Sequence, residues 1–166
     1  LEGVGAIFGG HLDRHFPPGT LVITDGAVNA STDHFLIRIR GQQGHGARPH
    51  EALDAVVVGS LLVTAIQTIV SREINPAHPS VITVGTFQAG TAANVIAGEA
   101  TLEGTIRSQD ASVRDHLIGS LERVAQAIGQ LHSADVTLEV DPGTPALIND
   151  PEVAEVAREA ARAVVD

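Results

Sequence analysis

The chain of 166 residues has no cysteine, methionine, lysine, tryptophan or tyrosine, and four phenylalanines are its only aromatic side chains. Without cysteine there is no disulfide framework and no thiolate metal site. Without lysine, ten arginines face twenty carboxylates, and the net charge is −10. That balance offers no basic face to a phosphate backbone or an anionic membrane. Four phenylalanines also cannot build the stacking platforms that single-stranded nucleic acid requires. No continuous apolar run reaches the ~18 residues that span a bilayer, and the amino end lacks a basic region followed by an apolar stretch. A cytoplasmic protein that binds neither nucleic acid nor membrane is expected. Methionine is missing even at position 1, where leucine is not what trimming of an initiator leaves, so the chain reads as a stretch of a longer one.

What is present is core material. Hydrophobic residues make up 43 % of the chain and charged residues 18 %, enough for one packed domain. The hydrophobic period switches in an ordered way. His34 to Arg40 alternates, with Phe35, Ile37 and Ile39 on one face, as a half-buried strand does. Residues 51–73 place Leu53, Val56, Val57, Leu61, Ala65, Ile66 and Ile69 at helical spacing, and Pro76 and Pro79 stop that helix. Ser80 to Phe87 and Ala100 to Arg107 alternate again. Asp110 is placed to cap a helix carrying Val113, Leu117, Leu121, Val124, Ile128 and Leu131, and Val136, Leu138 and Val140 mark a last strand.

The order β-α-β-β-α-β predicts an α+β, ferredoxin-like sandwich, with a four-stranded antiparallel sheet and two helices on one face. Its expected limits are residues 31–143. Residues 1–30 and 144–166 read as remnants of a second, α/β domain. Val4 to Gly9 suits a strand buried on both faces, Thr20 to Thr24 an extended connector, and Asp150-Pro151 the start of a helix.

Eight histidines stand at 11, 15, 34, 45, 50, 78, 116 and 132, and no local spacing completes a metal cage. His34 and His116 suit packing or surface roles, and His132 complements a helix dipole. Gly41-Gln42-Gln43-Gly44-His45-Gly46-Ala47-Arg48-Pro49-His50 links the first strand to the long helix. It either presents His45 to a ligand at the end of the sheet or is a flexible loop with solvated histidines. In Gly90-Thr91-Ala92-Ala93-Asn94-Val95-Ile96, Asn94 is either a donor to an oxyanion or a left-handed turn residue. Arg107 is either a carboxylate clamp or a solvated charge on a strand face.

In this order and spacing, Gly41 to His50, Gly90 to Ile96 and Gly104-Thr105-Ile106-Arg107 resemble the lid (dimerisation) domain of the two-metal amidohydrolase and carboxypeptidase family. Gly9-Gly10-His11-Leu12, with Pro17 soon after, is similar to the end of that family's metal-binding catalytic strand. The resemblance covers essentially the whole chain and is nearest to the branch acting on N-acyl amino acids. It implies that His45 polarises a scissile amide carbonyl in a partner subunit and that Asn94 contacts substrate beside it. It further implies that Arg107 pairs with the substrate's free carboxylate and that His11 is a zinc ligand. Gly46, where alanine is common, and Ala97, where proline is usual, depart from the family pattern.

The implied parent is a hydrolase of N-acyl amino acids or small peptides, using two divalent metal ions: zinc first, with manganese, cobalt or nickel as alternatives. Its remaining ligands and its glutamate base are not in this sequence, so the chain alone is expected to hold no metal pair and to be inactive. A homodimer is expected through the uncharged edge strand 80–87 and helix 51–73. The rival expectation is a stand-alone ferredoxin-like regulatory or dimerising module without catalysis, since that fold hosts many functions.

Overall fold

The computed structural model describes residues 2–164. Its elements in chain order are β1 (Gly26–Asn29), β2 (Asp33–Arg40), β3 (Gly44–His45), α1 (Ala55–Glu73), β4 (Ser80–Ala89), β5 (Val95–Ile96), β6 (Glu99–Ser108), α2 (Ala111–His132), β7 (Asp135–Pro142), β8 (Leu147–Asn149) and α3 (Pro151–Arg162). They fall into two compact units. The larger is Ala30–Ala146; the smaller joins the residues before it to those after it.

In the larger unit the sheet order is β4-β6-β2-β7, with every neighbouring pair antiparallel. This is the ferredoxin-like arrangement the period switches predict. One face of β2 is buried through Phe35, Ile37 and Ile39, and β6 adds Ala100, Leu102 and Ile106. Against them α1 sets Val58, Leu62, Ile66 and Ile69, and α2 sets Leu117, Leu121 and Ala125. Each fully buried leucine or isoleucine contributes about 2 kcal/mol.

Both long helices start where an aspartate caps them. Asp54 accepts from Val56 and Val57 at 2.9 and 3.3 Å, and Asp110 accepts from Ser112 and Val113 at 2.8 and 3.1 Å. The first helix therefore begins at Ala55, not at Glu51. Pro49–Glu51 forms a 3-10 turn, and Leu53 is held in a bridge to Gln42, so these residues cannot join the helix.

By length and composition α1 is long and apolar enough to cross a membrane, although serines and threonines interrupt its apolar run. Its inner stripe lies in the core. Its outer face exposes Val56, Val57 and Leu61, with hydroxyls turned back on the helix carbonyls, as Ser60 to Val56 at 2.7 Å and Thr64 to Ser60 at 3.0 Å. No charged residue occurs between Asp54 and Arg72.

In the smaller unit β1 pairs antiparallel with β8. Asp150 caps α3 with Pro151 in its first turn, as expected, and Arg158 on α3 binds Asp25 at 2.8 Å. Val4 to Gly9 is not a strand. It has no regular structure, and Val4, Ile7 and Phe8 are exposed, because no ladder partner lies beside it among the described residues.

Candidate functional site

The loop after β2 and the segment before β6 close on each other through the short ladder β3–β5, in which Gly44 faces Ile96 and His45 faces Val95. Bonds on either side tie the ladder down. Gly41 donates to the Gly98 carbonyl at 2.7 Å, Gln42 and Leu53 exchange both backbone bonds, and Ala55 donates to Ala97 at 2.9 Å. The loop is thus a clamped ribbon and not a flexible tether.

None of Gly41, Gly44 and Gly46 has a positive φ. Glycine is needed there for close approach: a Cβ on Gly46 would sit 2.9 Å from the Asn94 carbonyl oxygen, and one on Gly41 would sit 2.3 Å from that of Leu53.

This ribbon brings His45 and Asn94 together. The Gly46 amide donates to the Asn94 carbonyl at 2.9 Å, and both side chains are exposed. Asn94 is not in the left-handed region, since Ser133 is the only non-glycine residue with positive φ among those described. Its carboxamide is exposed, one residue before Val95, which faces His45 across the ladder. An open groove of about 480 Å³ lies next to the pair, lined in part by Gln43, Gln88, Thr91 and Glu99.

Arg107 does not join them within one chain. It lies near the opposite end of β6 from Glu99, a separation of about 27 Å for eight extended residues. There it sits on the sheet face away from the helices, next to Val81 on β4, and donates to Thr32 Oγ1 at 3.2 Å. No carboxylate lies within ion-pair distance of it among the described residues, although the chain carries twice as many acids as arginines.

His11 belongs to the smaller unit, exposed in a segment without regular structure. Among the described residues no three His, Cys, Asp or Glu side chains are grouped so as to hold a metal ion. The residues present therefore do not fit a metal pair.

The perturbed ionisations serve structure. The Asp33 carboxylate, bound to Arg114 through Nε at 2.8 Å and through Nη2, raises the arginine's pKa above its ordinary value. Glu73 at the end of α1 accepts from Ser120 at 2.6 Å, Arg123 at 2.6 Å and His116 at 3.2 Å. Ser120 first, then Arg123, hold it below the usual carboxylate range. Sequence spacing gives no sign of this clasp, since it spans 43 to 50 residues.

The structure presents a ferredoxin-like sandwich with an uncharged edge strand and a clamped turn that joins His45 and Asn94, and comparison with known proteins places it in a family. Residues 31–132 match the peptidase dimerisation domain of the M20 family, and the chain belongs to that family. It is 39 % identical over 149 residues to an N-acyl-L-amino acid amidohydrolase of Geobacillus stearothermophilus, covering 90 % of this chain and 40 % of that protein. It is 34 % identical over 161 residues to an N-acetyl-L-cysteine deacetylase of Bacillus subtilis, covering 97 % of this chain and 39 % of that one. The crystal structure of Bacillus subtilis YXEP, described as a dinuclear metal-binding peptidase from the M20 family, superposes with a TM-score of 0.78 at 29 % identity, over 99 % of this chain and 40 % of that one. The chain thus spans about two fifths of the length of these relatives.

Proposed function

We propose that this chain is the lid and dimerisation part of a metal-dependent amidohydrolase acting on N-acyl amino acids or small peptides with a free carboxylate. The observation that carries the reading is the split of the site. His45 and Asn94 stand at one end of the sheet and Arg107 at the other, beside an edge strand, β4, with no charge from Ser80 to Ala89.

Uncharged edges invite pairing. Antiparallel pairing of β4 with a second copy would reverse the partner sheet. Arg107 of one copy would then share an end with His45 and Asn94 of the other. The outer face of α1, also uncharged, continues that surface.

In this reading His45 and Asn94 donate to the oxygen of the scissile amide as negative charge develops on it, and Arg107 grips the distant carboxylate bidentately. Names of the relatives, an N-acyl amino acid hydrolase and a deacetylase among them, support the substrate class. The two divalent ions, zinc foremost with manganese, cobalt or nickel as alternatives, would be held mainly by residues outside this chain, His11 being its single candidate ligand.

The test is made on the intact protein with its metal. His45→Ala should lower turnover of an N-acyl amino acid by about a hundredfold or more with metal content unchanged. Turnover that barely moves, or metal lost in step with activity, overturns the assignment.

A further inference from the structure

Three consecutive backbone amides are committed to the His45 turn. Gly46 donates to the Asn94 carbonyl at 2.9 Å and Arg48 to the His45 carbonyl at 2.8 Å. Between them, Ala47 donates to the Nδ1 atom of the His45 ring at 3.1 Å. An amide nitrogen can only donate, so the ring atom it meets must be the unprotonated one. A neutral imidazole carries a single proton, which then sits on Nε2.

We infer that the Ala47 amide fixes His45 as the Nε2–H tautomer, making its exposed edge an obligate hydrogen-bond donor, neither a base nor a metal ligand. The inference rests on the proposed lid function for its catalytic meaning but not for its geometry. A ring free to choose its tautomer would present a lone pair at Nε2 part of the time. In that state it would repel a developing oxyanion or compete for a metal ion. With Nδ1 held, the outward atom offers a proton in every neutral molecule, and the Gly46–Asn94 backbone bond ties the two turns together. Ala47 is a positioning residue, acting through its backbone.

The first measurement uses the 166-residue chain labelled with nitrogen-15, at a pH where the ring is neutral. A scalar coupling should cross the hydrogen bond between the Ala47 amide nitrogen and His45 Nδ1, and Nε2 should have the shift of a protonated ring nitrogen. Absence of the coupling, or a protonated Nδ1, overturns the inference.

The second uses the intact enzyme and two amide replacements. His45→Asn places its amide near the Nδ1 position and keeps only the contact with Ala47; His45→Gln reaches to the Nε2 position and keeps the outward donor. Turnover should be about tenfold or more higher for His45→Gln than for His45→Asn, in keeping with the size of a single donor's effect. A purely structural role would favour asparagine, and that order would overturn the outward-donor assignment. If the coupling is present but the intact protein hydrolyses no N-acyl amino acid, the tautomer stands and the amidohydrolase reading fails.

Discussion

Phe35 lays its ring across Gly104. A Cβ built on Gly104 would lie 2.3 Å from the ring's Cζ and 2.0 Å from the backbone oxygen of Thr83 on the next strand. The glycine of the Gly-Thr-Ile-Arg stretch is thus required by packing. A side chain there would push a core aromatic and a strand backbone at once, and the backbone cannot give way. Gly104→Ala should destabilise the domain by about 3 kcal/mol, at the upper end of overpacking costs. The midpoint of urea unfolding measures it; an unchanged midpoint would show that β4 can shift.

Asp33 is fully buried and Arg114 only partly exposed. Their two-point contact ties the start of α2 to the end of the sheet. Arg114→Ala leaves a buried carboxylate without its cation, and a loss of about 3 kcal/mol is expected. Chemical denaturation at neutral pH, with far-UV dichroism to confirm the fold, checks it.

Glu73 is held below its ordinary pKa by Ser120, Arg123 and His116. Because the folded state favours its ionised form, its stabilising effect is full above the unfolded carboxylate pKa. It is lost as pH falls through the lower, folded value. Glu73→Gln should therefore lower the unfolding midpoint at pH 7, and the gap from the native chain should narrow below about pH 4. A gap that stayed constant with pH would mean that the charge of Glu73 plays no part.

Thr83 is exposed on β4, whereas its neighbour Ile82 is buried at 6 % exposure. Thr83→Lys therefore tests the edge without touching the core, while Ile82→Asp would unfold it. The lysine should weaken self-association several-fold in sedimentation at tens of micromolar, as charge on a paired edge does. An unchanged dimer would place the interface elsewhere.

Arg107 binds a group distant from the reacting bond in the proposed reading. In the intact enzyme Arg107→Ala should raise KM more than it lowers kcat, and the effect should shrink for substrates with an amidated carboxylate. Equal losses for both substrates would reduce Arg107 to a surface charge.

Periodicity alone makes the sandwich legible in the amino-acid sequence. Alternation in Phe35-Ile37-Ile39, helical spacing through Ile66 and Ile69, and the Asp110 cap are local signals, and β2 buries the face its pattern marks. In α1 the buried stripe is turned from the expected one, with Val58 and Leu62 in the core and Val56, Val57 and Leu61 exposed, because an almost wholly apolar helix does not mark its inner face by spacing. The two-residue strands Gly44–His45 and Val95–Ile96 are illegible there, because two residues have no period. So is the β1–β8 pair, whose partners lie more than a hundred residues apart. The first long helix starts later than its spacing suggests for a similar reason: a bridge from Gln42 holds Leu53 out of the helix, and no propensity encodes that bridge.

For the candidate site, residue chemistry and local setting specify which side chains can act: an imidazole, a carboxamide and a guanidinium in glycine-rich or strand-end positions. Their grouping comes from long-range pairing, which no local pattern carries. Antiparallel pairing of β2 and β6 puts the loops holding His45 and Asn94 at one end of the sheet and carries Arg107 to the other. A backbone amide, identical in kind at every non-proline position and placed here only by the folded turn, selects the nitrogen of His45 that bears the proton.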